Sequence, residues 1–278
     1  MNNSHSFSPT SRLEVLLDAA GRGDASVTPA LVALIDEPGF TPQQRMDLGE
    51  ALGRLGDPRL CEPAAANYWV AVSLGDDHRL SIGRNMVTTA EWIAFLDSGA
   101  YSDDSNWTET GLVWRGGDRP TWRDLAAAED SKPLIIANQP VVGVSWYEAM
   151  AYACAHNARL LEFDERVRIT RGPGKRPYPW GAPFGQANAN TREEVLGKPT
   201  AIGIFPRDRT PEGINDLAGN VGEWTIDVVG DRRVIHPGSW EQPSMAAWAK
   251  ALHIVSPAAR AADLGFRIVR DLRDLRDL

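Results

Sequence analysis

Asp216-Leu-Ala-Gly-Asn-Val-Gly-Glu-Trp224, followed by Pro237-Gly-Ser-Trp240 and Leu264-Gly-Phe-Arg267, is the stretch on which the reading of this chain turns. Glycines set tight turns in each piece, and each piece carries a tryptophan or phenylalanine able to anchor the turn to a core. No cysteine lies between Trp240 and Gly265, since Cys61 and Cys154 are both upstream. A Cu(I) centre wants soft thiolate ligands, and this stretch supplies none.

Outward from that frame, the chain divides in two. All ten tryptophans fall between Trp69 and Trp248. Asn67–Val72 and Val141–Val144 read as strands, Thr88–Ser98 and Trp146–Ala158 as amphipathic helices. Glycine and proline punctuate residues 172–213 so densely that an ordered loop is predicted, held rigid by packed aromatics or a metal. Residues 8–60 read as three short helices. Ser8-Pro9, Thr28-Pro29 and Thr41-Pro42 each set a capping residue before a proline suited to the first turn. Leu13/Leu16/Leu17 and Leu31/Leu34/Ile35 give apolar faces too small to bury one another. The division is therefore a helical segment, 1–62, packed on a main domain, 63–278.

With 43% hydrophobic and 24% charged residues, the composition is that of a globular protein. No apolar run is long enough to span a membrane. Nothing at the start resembles a secretory leader. Two cysteines make no disulfide framework and suit the cytoplasm. A net charge of −8 makes nucleic acid an unlikely partner. The tail Asp271–Leu278 reads as a solvated terminus.

The motifs resemble the formylglycine-generating enzyme (sulfatase-modifying factor) family. Ile82-Gly-Arg-Asn-Met-Val-Thr-Thr-Ala-Glu-Trp92 is similar to its helix entry. Gln139–Trp146, Ala151–Leu160, Tyr178-Pro-Trp-Gly181, Ala189-Asn-Thr191 and Gly203-Ile-Phe-Pro206 follow in the family's order, and the opening frame completes it. The resemblance implies an α+β, C-type-lectin-like, loop-rich fold, with the all-α segment added in front. It also implies two calcium sites: Asn190 and Thr191 (with Glu193 or Glu194 as a possible third ligand), and Asp216, Gly219, Val221 and Glu223. Each would offer the hard oxygens that calcium takes. Departures surround the shared frame, with Arg166 where the family has a core Trp and Gly222 where it has another.

Family members include a copper oxidase that makes formylglycine and iron sulfoxide synthases with a three-histidine centre. Here the histidines His5, His78, His156, His236 and His253 form no spaced cluster, so neither copper nor iron is expected. Gly172-Pro-Gly-Lys-Arg176 lacks the spacing of a phosphate loop and reads as a turn. Neither cysteine has an activating base nearby in sequence. The expected function is a non-catalytic, ligand- or protein-binding member: a pseudoenzyme whose recognition face is Glu241, Gln242, Met245, Trp248, Lys250 and His253. A protein partner follows, in a bacterial signalling or defence assembly or as a retroelement-diversified binder. The alternative is a metal-dependent oxidase acting on a thiol or related small group.

Overall fold

The computed structural model describes residues 8–75 and 78–272. His5 and residues 273–278 of the tail lie outside them. The chain begins with helices α1 (Pro9–Gly21), α2 (Thr28–Ala33) and α3 (Pro42–Leu55). Ser8 accepts the Ser11 amide on its hydroxyl, and Thr41 forms a reciprocal capping box with Gln44. Each cap satisfies helix-end donors that would otherwise be orphaned. Leu13, Leu31, Leu34, Leu48 and Leu52 form one buried cluster, and Ile204 and Phe205 of the main domain enter it. Gly49 lies on the contact: a Cβ there would meet the Ala201 methyl at 2.7 Å. Hydrogen bonds also cross the seam. Arg45 donates to the carbonyls of Ile35, Glu37 and Ile204, and Asn138 donates to Gly49 O and Asp57.

Two four-stranded sheets follow. The first orders β1 (Trp69–Ser73), β2 (Arg79–Gly83), β8 (Ile268–Asp271) and β3 (Arg159–Leu160), with antiparallel neighbours. The second orders β6 (His253–Val255), β5 (Arg232–His236), β4 (Gly222–Val229) and β7 (Leu264–Gly265). Its β4–β7 pair is parallel, and its other pairs are antiparallel. Between the strands run α4 (Thr89–Asp97), α5 (Glu109–Arg115), α6 (Trp122–Ala126), α7 (Trp146–Ala155) and α8 (Phe163–Arg171). α4 and α7 start on capping boxes, Thr88 with Glu91 and Ser145 with Glu148. Trp92, fully buried, centres the core, with Phe95, Trp122, Tyr152 and Phe266 around it at ring distances of 5.2–6.4 Å.

Val141–Val144 is not a strand. Its carbonyls are taken by indoles: Trp122 Nε1 donates to Val142 O and Trp224 Nε1 to Val144 O. Tryptophan ladders replace the β-ladder there, so apolar alternation misled the reading. Residues 172–213 are loop apart from one short 3₁₀ turn at Arg192–Glu194. Among the described residues no helix is long and apolar enough to cross a membrane.

Candidate functional site

The loop 216–224 lies against the loop at Asn190. Asn220 N donates to Asn190 O at 2.8 Å, and Gly219 passes so close that a Cβ would sit 2.6 Å from that oxygen. The two loops expected to hold separate calcium ions therefore touch at Asn190 and the Gly219-Asn220 turn. Their oxygens are otherwise engaged. Glu223, 1% exposed, accepts from Arg166 Nε on one oxygen and from Arg267 Nη2 on the other, both at 3.1 Å. Burial pushes its carboxyl up, but the two guanidinium groups outweigh burial and hold it below the usual carboxylate range. Thr191 donates its hydroxyl to Glu193, and the Gly219 carbonyl accepts from Val221 N. Arg166 therefore fills with a fixed cation the place where Glu223 was expected to meet calcium.

There are two exceptions: Asn190, whose Oδ1 is buried without a hydrogen-bond partner, and Asp216. The latter sits at a positive φ of 56°, accepts from Gly203 N on Oδ2, and leaves Oδ1 without a protein partner. Burial lifts its carboxyl to about 6, against that bond and the Arg267 charge. Neighbouring Asp208 is lifted to about 7 by burial and by Asp216, although Ala218 N and Gly219 N both donate to it. A proton shared out among these acids lowers the cost of burying them.

The segment expected to recognise a ligand lies over this loop. Gly238 makes the closest crossing, where a Cβ would fall 2.1 Å from Ala218 O. His236 is fully buried. Its Nδ1 accepts from Gly238 N, so Nε2 carries the proton and donates to Trp248 O at 3.1 Å. Burial and the Arg166 charge push its pKa well below the ordinary histidine value. Beyond it Met245 (75% exposed) and Trp248 (44%) face outward, with Lys250, His253 and Glu241 also exposed and Gln242 half-buried. Ala246, Ala247 and Ala249 are the inward side chains. Alanines therefore line the inward side of this cysteine-free segment.

The described histidines do not converge. His156 caps α7 and stacks on Tyr152 at 4.4 Å, His236 spends both nitrogens, and His253 is exposed. His78 joins Glu165 and Asp271 in the one group with metal-like spacing among the described residues, its ligand atoms within 4.8 Å of one another. Arg159 already occupies that group, donating to Glu165 at 2.7 and 2.8 Å and to Asp271 at 2.6 and 3.1 Å. It reads as an ion-pair network closing the edge of the first sheet. Both cysteines are unpaired. Cys154 is exposed on α7, and Cys61 is half-buried against the main core.

Sequence reasoning missed Arg159, Glu165 and Asp271, although Glu162 and Glu165 spell a capping box at the start of α8. It also missed Glu91, whose carboxyl burial raises to about 7 beside the Tyr152 hydroxyl.

An α+β body with two small sheets, long ordered loops and a tryptophan-rich core defines the lectin-like scaffold class. A profile of the sulfatase-modifying factor enzyme 1-like domain matches residues 72–272, and the chain belongs to that family. A Mycobacterium tuberculosis protein named hercynine oxygenase is 29% identical over 237 residues, covering 70% of this chain and 54% of its own length. A Bos taurus protein named inactive Cα-formylglycine-generating enzyme 2 is 29% identical over 175 residues, covering 56% of this chain and 58% of its own. The solved structure of PvdO from Pseudomonas aeruginosa superposes with a TM-score of 0.52 at 20% identity, over 74% of this chain and 91% of that one. The chain spans about half the length of the hercynine oxygenases it matches.

These relatives correct the functional expectation. Three of them are named oxygenases, which overturns the reading as a non-catalytic, protein-binding pseudoenzyme, including its signalling and diversified-binder variants. An oxygenase must activate dioxygen, work that redox metals commonly do. The expectation of structural calcium with neither iron nor copper falls with it. Of the departures around the shared frame, Arg166 is packed inside the scaffold as the buried partner of Glu223.

Proposed function

We propose that this chain is the lectin-fold part of a metal-dependent oxidase acting on a thiol or related small group. The observation that supports it is the alignment of proteins named hercynine oxygenase across about 70% of the chain. The substrate would approach the outward side of residues 240–255, where Met245, Trp248, Lys250 and His253 are exposed. A reducing, cytoplasmic setting suits the two unpaired cysteines.

The described donors do not fit a complete redox centre. Copper would want thiolates, and the only two cysteines, Cys61 and Cys154, lie upstream of Trp240 in the sequence and are unpaired. A three-histidine iron site would need imidazoles that are here dispersed or already bonded.

The test uses protein purified from its own cells. Metal analysis should find iron or copper with it, and oxygen uptake should rise on adding cysteine or glutathione, above a control with metal alone. Absence of both metal and thiol-dependent uptake would defeat the reading.

A further inference from the structure

A cleft of about 460 Å³ runs along the seam between the helical segment and the sheets. Three guanidinium groups line it, Arg59, Arg84 and Arg209, with the amides of Asn85 and Asn215. Their existing bonds are unequal. Arg59 is bonded at all three nitrogens: Nε and Nη2 reach Asp57 at 2.9 and 2.6 Å, and Nη1 reaches Ile202 O at 2.7 Å. Arg209 gives Nε to Asn215 Oδ1 at 2.7 Å and Nη1 to Asp36 at 2.9 Å. Arg84 gives Nη1 to Gly213 O at 3.2 Å and Nε to Asn67 O at 3.5 Å, and it meets no carboxylate among the described residues. The Nη2 groups of Arg84 and Arg209 thus keep donors without protein partners.

The support behind these donors is built. Asn215, 7% exposed, holds Arg209 with its oxygen and donates its nitrogen to Asn85 Oδ1 at 2.7 Å. One buried amide therefore fixes two lining side chains, as a preorganised site requires. The cleft's own carboxylate, Asp36, is committed to Arg209, and nearby Asp57 is taken by Arg59 and Asn138. Asp216, which also feels the Arg59 and Arg209 charges, is buried outside the lining, so spare guanidinium donors in a cleft whose one lining carboxylate is paired favour an anion even in a chain of net charge −8. Planar guanidinium forks match carboxylate and phosphate oxygens.

We propose that this cleft binds a small molecule through an oxyanion, with Arg84 and Arg209 as its donors. The proposal is independent of the oxidase reading. Arg59 and Asp36 come from the helical segment and Arg84 and Arg209 from the main domain, so an occupant would also tie the two together.

Calorimetric titration of the full chain with phosphate and, separately, with succinate tests this, against chloride at equal ionic strength. At least one anion should bind saturably and protect the amides of residues 31–36 from hydrogen exchange. Arg84→Gln should weaken that binding about tenfold or more, with the melting temperature of the free protein unchanged. Arg84→Lys should fall between. Binding of phosphate alone identifies a phosphoryl ligand, and binding of succinate alone a carboxylate. If neither anion binds saturably, or if Arg84→Gln binds as tightly as the parent, the proposal is overturned.

Discussion

Helix α8 carries two arginine–carboxylate clusters from adjacent buried residues, Glu165 and Arg166, and their partners differ in exposure. Inward, Arg166 meets Glu223 and Glu223 meets Arg267, with no side chain more than 1% exposed. Toward the surface, Glu165, itself buried with 2% exposure, meets Arg159 and His78, and Arg159 reaches Asp271, whose side chain is 60% exposed. The number of ion pairs is similar, yet their energetic weight differs. A buried charge that loses its partner stays desolvated, whereas an exposed one falls back on water. Pairing is common to both clusters, and burial decides what each is worth.

The largest effect is expected at Glu223. Glu223→Gln would leave two buried guanidinium groups facing a neutral amide, at a cost of about 3–5 kcal/mol. Urea unfolding should register it, and a loss no larger than that of a surface variant would erase the contrast. Calcium or strong chelator should not move the melting temperature of the parent protein, because Arg166 and Arg267 hold both Glu223 oxygens.

The acids beside the buried cluster set a pH dependence. Asp208 is raised to about 7 and Asp216 to about 6, both from 3.8, so the folded state holds protons that the unfolded chain has released. Stability should therefore fall as pH rises from about 4 to 7. Glu223 and Glu165 are shifted the other way, and what they contribute is lost only as pH drops below their ordinary range. Asp208→Asn should flatten the slope between pH 4 and 7 without abolishing it, since Asp216 and Glu91 keep their share. An unchanged slope, measured by thermal melts across that window, would remove Asp208 from the account.

The scaffold was legible in the sequence because it is written locally. Thr88…Glu91 and Ser145…Glu148 spell helix starts within four residues, and the family motifs keep their order along the chain. The clusters on α8 are not local. Arg166 and Glu223 are 57 residues apart, and Arg159 and Asp271 are 112 apart. Arg166 appeared only as a departure from an expected tryptophan, and nothing near it named its partner. Glu223 looked like an oxygen ligand because no sequence shows which cation reaches a carboxylate first. Val141–Val144 failed for the same reason: the indoles of Trp122 and Trp224 that claim its carbonyls arrive from elsewhere.

Arg166→Met sharpens the inward half of the comparison. Glu223 would keep Arg267, and the cavity would gain an apolar chain of similar length. What is lost is the Arg166 bond to Leu217 O at 2.7 Å and one charge contact. A cost of roughly 1–3 kcal/mol follows, smaller than that of Glu223→Gln. A cost equal to that of Glu223→Gln would mean that Arg267 alone cannot hold the carboxylate.

The smallest effect belongs to the outward cluster. Asp271→Asn removes one carboxylate from Arg159, which keeps its two bonds to Glu165 at 2.7 and 2.8 Å. Asp271 is more than half exposed, so water screens the pair and restores hydration once it is broken. Its loss should cost less than about 1 kcal/mol and shrink further in molar salt. A double-mutant cycle with Arg159→Gln isolates the Arg159–Asp271 coupling from the Glu165 bonds that Arg159 also makes. Coupling as large as that between Arg166 and Glu223 in a matching cycle would show that the sheet edge shields its charges as well as the core does, and burial would no longer separate the two clusters.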